Sequence, residues 1–86
     1  MTRYFMTGPV KRSVTIAGHQ TSISLEPLFW DALRAAADKR ELPLNALIAQ
    51  IDLERIGAND PPNLGSAIRL WLFMDVIRYK NESHSQ

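Results

Sequence analysis

The residue types that do chemistry are few in this chain and poorly placed for catalysis. Two histidines are present, His19 and His84. Neither has a carboxylate or a second histidine at the spacing that a zinc or iron site needs. There is no cysteine, which removes thiolate nucleophiles, thiolate metal ligands and disulfide frameworks together. The serines lack the strand–turn–helix setting of a nucleophile elbow. Asp52 and Glu54 stand two apart on a helical stretch and do not face each other. Gly8, Gly18, Gly57 and Gly65 are too scattered to cradle a phosphate. The expectation is a protein that is not an enzyme, with no metal and no cofactor.

The chemistry left is recognition, and the elements that present it are legible in the periodicities. Thr21-Ser22-Ile23-Ser24-Leu25 alternates with a period of two, as a strand with one buried face does. Ile23 and Leu25 take the buried face, so Gln20, Ser22 and Ser24 point outward. Lys11 to Ala17 alternates as well, with Val14 and Ile16 on one side and Ser13 and Thr15 on the other. The apolar phase is even-numbered before Gly18-His19 and odd-numbered after it, and a slip of one residue flips every side chain. Two devices absorb such a slip. One is a two-residue hairpin turn at Gly18-His19, pairing Ile16 with Thr21 and Val14 with Ile23. The other is a bulge in one long strand.

The period then lengthens. Pro27 suits a helix's first turn, and a helix is expected to about Lys39, with Glu26 at its cap. Phe29, Leu33 and Ala36 form its stripe, flanked by Trp30 and Ala37. Trp30 reads as a packing anchor. Asp31 near the start and Lys39 and Arg40 near the end suit the helix dipole. Glu41-Leu42-Pro43 breaks the helix. Leu44, Leu47, Ile48 and Ile51 repeat at helical spacing to about Ile56, with Pro43 at the cap and Gly57 at the end. Residues 58–63 read as a loop. Asn63 caps a third helix, expected over 64–80, whose apolar residues spread almost all round the wheel and so imply burial on more than one side. The organisation expected is a flexible arm over 1–10, a core over 11–57, the loop, the third helix and a tail over 81–86.

This order of strand, helix, turn and helix resembles the ribbon-helix-helix family of bacterial DNA-binding proteins, to which the Arc, methionine and CopG-type repressors belong. The resemblance covers about Gln20 to Arg55. A longer likeness, through KRSVTIAGHQTSISLE, LNALIAQID and NLGSAIRL, is similar to a subgroup with an extra helix after the core. It implies a mainly α fold with a short β-ribbon: an intertwined homodimer whose strands pair into an intermolecular antiparallel sheet, plus the third helix. Ile23, Leu25, Phe29, Trp30, Leu33, Leu47, Ile48 and Ile51 would form the dimer core. It further implies a regulator of transcription that places a two-stranded ribbon in the major groove, which admits one. Gln20, Ser22 and Ser24 would face the bases. The backbone N–H groups of Leu44 and Asn45 would hold a phosphate, as a helix N-terminus can, and Lys11 and Arg12 would contact further phosphates. Where other members of the family carry Arg or Lys on the outward strand face, this chain carries Gln, Ser and Ser.

Composition bounds these expectations. A chain of 86 residues with 45% hydrophobic residues is one small globular domain with a limited core. A lone strand and apolar stripes without cover argue for an obligate oligomer, with higher assembly through the third helix open. The net charge of +1 is small, but it is unevenly spread. Residues 1–25 carry Arg3, Lys11 and Arg12 and no acid, a charge of +3. Residues 26–60 carry four bases and seven acids, −3, and the remainder +1. A dimer would double the positive charge on the ribbon side. No apolar run suggests a signal peptide or a membrane span, and a cytoplasmic location is expected. Two other readings stand beside DNA binding. Ser22 and Ser24 can be merely solvated strand positions. Alternatively the dimer can be a protein-interaction adaptor or antitoxin-like subunit that grips a protein partner through its ribbon or third helix.

Overall fold

The structure, a computed structural model, describes residues 6–84, with side chains described as far as Asn81. Residues 1–5 of the expected arm, with Arg3, and residues 85–86 of the expected tail lie outside the described residues. The elements in order are β1 (Val10–Ile16), β2 (His19–Leu25), α1 (Pro27–Lys39), α2 (Leu44–Ile56) and α3 (Leu64–His84). α3 runs past Lys80 into the segment expected to be a tail. Among the described residues no helix is long and apolar enough to cross a membrane.

β1 and β2 form a two-stranded antiparallel sheet. The turn between them is Ala17-Gly18, one residue earlier than the Gly18-His19 turn expected from sequence, and there is no bulge. Val14 therefore faces Thr21 and not Ile23, and Ile16 faces His19 and not Thr21. Both turn residues have positive φ, 51° at Ala17 and 83° at Gly18. That is the signature of the type I′ turn, whose twist matches a tight hairpin. Gly18 adopts it freely, while Ala17 is held in a region that costs an L-residue roughly 1–2 kcal/mol. The hairpin also corrects the premise that the strand lacks a partner in its own chain: β2 is paired along its length by β1.

This register has a visible compensation. It extends β1 back to Val10, opposite Leu25. The Val10 carbonyl then accepts a hydrogen bond from the Trp30 indole N–H at 2.9 Å. The ring of Trp30 is buried while its one polar atom is satisfied, which is how a buried tryptophan is accommodated without loss.

The core lies between the inner face of the hairpin and the three helices. It joins Val14, Ile23 and Leu25 from the ribbon, Trp30, Leu33, Ala36 and Ala37 from α1, Leu47, Ile48 and Ile51 from α2, and Ala67, Ile68 and Leu72 from α3. On α1 the centre of the buried face is Trp30; Phe29 is half-buried at its margin. No polar or charged residue is among the buried ones described.

The helix ends follow local chemistry. Glu26 and Pro43 occupy the caps of α1 and α2, and neither caps with its side chain. The backbone closes α1 instead: the Leu42 N–H donates to the Ala37 carbonyl at 2.9 Å, with Glu41 at φ 55°. Asn63 caps α3, its Oδ1 accepting from the Ser66 N–H at 2.8 Å.

Leu47 and Ile48 are both 0% exposed. Replacing either with Ala is expected to cost about 2–5 kcal/mol, as truncation of buried aliphatics does. Chemical denaturation checks this, and near-native midpoints would mean that the α2 face is misassigned. At the turn the sign is opposite. Asn-Gly suits a type I′ turn better than Ala-Gly, so Ala17→Asn is expected to stabilise the fold by roughly 0.5–1 kcal/mol. A lower melting temperature for that variant would contradict the turn assignment.

Candidate functional site

The hairpin has two faces of different character. Its inner face packs on the helices. Its outer face carries Lys11, Ser13 and Thr15 from β1 and Gln20, Ser22 and Ser24 from β2, and every one of these is exposed. The register sets them side by side as Lys11 with Ser24, Ser13 with Ser22, and Thr15 with Gln20. The result is a flat polar surface one ribbon wide with a single cation at the end away from the turn. No acidic residue occurs in the sequence before Glu26.

The side chains on this surface have complementary chemistry. Gln20 offers a donor and an acceptor together, which matches the N6 and N7 edge of adenine. The serine and threonine hydroxyls donate or accept, and the Thr15 methyl is an apolar contact. Ser13 and Thr15 were not singled out as site residues from sequence. The signal for them was their parity, since both alternate with Val14 and Ile16.

The sequence-derived candidates do not all gather here. Lys11, Gln20, Ser22 and Ser24 share the outer face. Arg12 lies on the opposite face of β1, across from Ile23, with its guanidinium 5.5 Å from the Trp30 ring centroid. It is exposed to solvent but committed to a cation–π contact. Leu44 and Asn45 stand at the start of α2. There the N–H groups of Ala46 and Leu47 already donate to the Pro43 carbonyl, at 3.0 and 3.2 Å. The N–H groups of Leu44 and Asn45 have no acceptor within the helix, as the geometry of a first turn requires. Asn45 is exposed and Leu44 is half-buried. Ile23, Leu25, Trp30, Leu33, Leu47, Ile48 and Ile51 are all buried within the single chain. His19 sits exposed beside the turn, and the described residues hold no cluster of three metal-ligating side chains.

The ribbon is held in place by a clamp at its far end. Arg69 of α3 donates to Glu26 Oε1 through Nε at 3.0 Å and Nη2 at 2.8 Å. Nη2 also approaches the Ser24 carbonyl at 3.5 Å, and the guanidinium lies 5.6 Å from the Phe29 ring centroid. A hydrogen bond from its own backbone N–H, and then those from Arg69, hold the Glu26 carboxyl below the usual carboxylate range. A second arginine does similar work lower in the molecule. Arg40 pairs with Asp75, donates to the Ala36 carbonyl at 3.1 Å and lies 4.9 Å from the Trp71 ring centroid. Both clamps fasten α3 to the other elements.

Comparison with known proteins gives one match. A family model described as "Ribbon-helix-helix domain" matches residues 9–76, which takes in the hairpin, α1, α2 and the first half of α3. Searches of curated proteins and of solved structures returned no match.

The clamp makes a pH-dependent prediction. A carboxylate with a lowered pKa contributes stability above its unfolded pKa, and that contribution is lost as pH falls through the folded value. Arg69→Ala is therefore expected to destabilise the protein fully at neutral pH, and the gap to the unsubstituted chain is expected to narrow under acid conditions once Glu26 protonates. Melting curves of both proteins from about pH 2 to about pH 7, a range that spans the ordinary carboxylate titration, check it. A gap independent of pH would mean that Arg69 acts only by packing on Phe29.

Proposed function

The chain belongs to the ribbon-helix-helix family, and from that premise we propose that it is a dimeric DNA-binding regulator of transcription that lays the outer face of its ribbon in the major groove. The observation that carries this reading is the outer face itself. It is exposed, polar, free of acids and as wide as one pair of strands. B-DNA's major groove admits such a ribbon, and its base edges present donors and acceptors that amide and hydroxyl side chains meet.

The roles divide by charge. Lys11, on the outer face, contacts phosphate. The free N–H groups of Leu44 and Asn45 hold a second phosphate at the positive end of α2. Arg12 adds field from the ribbon margin while stacked on Trp30. Gln20, with Ser22 and Ser24, reads bases. Phosphate contacts set affinity for any sequence and base contacts set preference among sequences, so the two groups leave different signatures.

A second reading has an observation of its own. Leu28, Phe29, Ala32, Ala36, Phe73 and Val76 line an open groove of about 390 Å³ between α1 and α3, and Phe73 is 65% exposed. Such a face suits a protein partner or a second copy of the chain. Under the adaptor reading, binding to duplex DNA is absent and the protein purifies with a stoichiometric protein partner. Under the regulator reading, sedimentation at low micromolar concentration finds two chains, and a folded monomer there would count against it.

Binding titrations against a selected duplex and a random one test the division of roles. Lys11→Ala is expected to weaken both alike and to lower the salt slope by about one per contact removed in each subunit. Gln20→Ala is expected to cost about 1–3 kcal/mol on the selected duplex and little on the random one, with the slope unchanged. Equal losses on both duplexes for Gln20→Ala would show that the outer face does not read bases.

A further inference from the structure

We propose that the outward face of α3 pairs with the same face of a second copy. The two helices run antiparallel, with Leu70, Phe73, Met74 and Ile77 at the centre and Arg78 of each copy on the partner's Glu54. The contact uses no residue of the ribbon and does not depend on DNA binding, so it goes beyond the proposed function and stands or falls apart from it.

α3 carries two apolar stripes, and the chain covers one of them. Ile68 and Leu72 lie on the inward stripe and are buried, and Asp75 further along it is tied to Arg40. Ile77 follows Ile68 by about two and a half turns at roughly 3.6 residues per turn, so it stands on the opposite side of the helix. Leu70, Phe73, Met74 and Ile77 have the i, i+3, i+4, i+7 spacing of one helical face. The first three are exposed and Ile77 is half-buried. A helix that is apolar on both sides belongs between two packing partners, and the single chain supplies one.

The symmetry of the outward strip identifies the second partner as another copy. Its spacing is the same read from either end, with the midpoint between Phe73 and Met74. One turn beyond each end stands a short polar residue, Ser66 before the strip and Asn81 after it. A two-fold contact requires such a face, because a residue of one copy meets a second residue of the other and the reverse contact must also form. Antiparallel alignment about the midpoint sets Leu70 against the partner's Ile77 and Phe73 against the partner's Met74. The strip then covers itself along its whole length.

The charges beside the strip are complementary under the same alignment. Glu54 of α2 and Arg78 of α3 border the groove that also holds Leu70 and Met74. Arg55, next to Glu54, donates to the Pro62 carbonyl at 3.3 Å, which places Glu54 beside the start of α3. Arg78 stands one turn past Met74. One flank of the strip thus carries an acid at one end and a base at the other. Neither takes part in an ion pair among the described residues. Antiparallel pairing brings each Arg78 to the partner's Glu54, twice per contact. The area sets the strength. Leu70, Phe73 and Met74 are 60%, 65% and 51% exposed. With its flanks the face offers on the order of 500 Å² per copy. Two faces bury on the order of 1,000 Å², the low end for a specific contact, so the pairing depends on concentration.

Sedimentation equilibrium of the full chain without DNA, from low to high micromolar concentration, tests the pairing. The unsubstituted chain is expected to gain mass across the range, towards twice its low-concentration species. Phe73→Glu puts a charge in the strip and is expected to abolish the gain. Its melting temperature at low concentration is expected to stay unchanged, because the side chain is exposed in the single chain. The charge pair tests the alignment. E54R and R78E each set like charges together at two symmetric places. Each is expected to weaken the association roughly threefold to tenfold, and E54R/R78E to restore it. If Phe73→Glu lowers the melting temperature, the charge variants, both at exposed positions, decide alone. A mass gain that Phe73→Glu leaves intact overturns the proposal. Absence of any gain in the unsubstituted chain also overturns it and gives the strip to a different protein. Single charge variants that associate like the unsubstituted chain, or a double variant no better than the singles, overturn the antiparallel alignment and the proposal with it.

Discussion

The structure depends on a matter of parity. The apolar residues of β1 are even-numbered and those of β2 are odd-numbered, and both sets must reach one core. An antiparallel pair meets this only when the numbers of facing residues sum to an odd value, which requires a turn with an even number of residues. The turn Ala17-Gly18 satisfies it, with positive φ at both residues. From that single constraint follow the two faces of the ribbon, the position of Val10 opposite Leu25, and the hydrogen bond by which Trp30 ties α1 to the start of β1. A slip of one residue would bury Ser22 and Ser24 and expose Ile23 and Leu25.

Parity was legible in the sequence, and the register was not. A turn at Gly18-His19 has the same parity as one at Ala17-Gly18, and it places Gly at the first turn position rather than at the second. Local chemistry alone leans to the later turn, since Gly at the first position suits a type II′ turn that needs positive φ only there, whereas the earlier turn strains Ala17. The choice is made by contacts far along the chain. In the earlier turn Val10 gains a strand partner and its carbonyl gains the Trp30 indole, 20 residues away. The same distance effect explains Arg12, which the charge pattern groups with Lys11. Adjacent residues on a strand point to opposite faces, and the inner margin holds Trp30. The helical stripe read from sequence ran through Phe29 with Trp30 at its flank, and the structure reverses that order, with Trp30 buried and Phe29 half-buried, because the hairpin packs over the Trp30 side. The helices, their Glu26, Pro43 and Asn63 caps and the outward Gln20, Ser22 and Ser24 needed only local information and were legible.

The third helix connects fold to function. Its buried side, Ala67, Ile68 and Leu72, completes the core of the single chain. Its apolar surplus, with Leu70, Phe73, Met74, Val76 and Tyr79 each more than half exposed, faces away from it. Two arginine clamps, Arg69 on Glu26 and Arg40 on Asp75, hold the helix in register with the ribbon and with α1. The start of this helix approaches the ribbon at the Ser24 carbonyl, while the ribbon's outer face stays open.

The most direct test is a nuclear Overhauser measurement on a sample mixed from isotope-labelled and unlabelled chains. Non-hydrogen-bonded pairs bring their Hα atoms close. The account predicts Hα–Hα contacts for Thr15 with Gln20, Ser13 with Ser22 and Lys11 with Ser24, all within a chain. Hα–Hα contacts of Ile16 with Thr21 and of Val14 with Ile23 in their place would contradict the register.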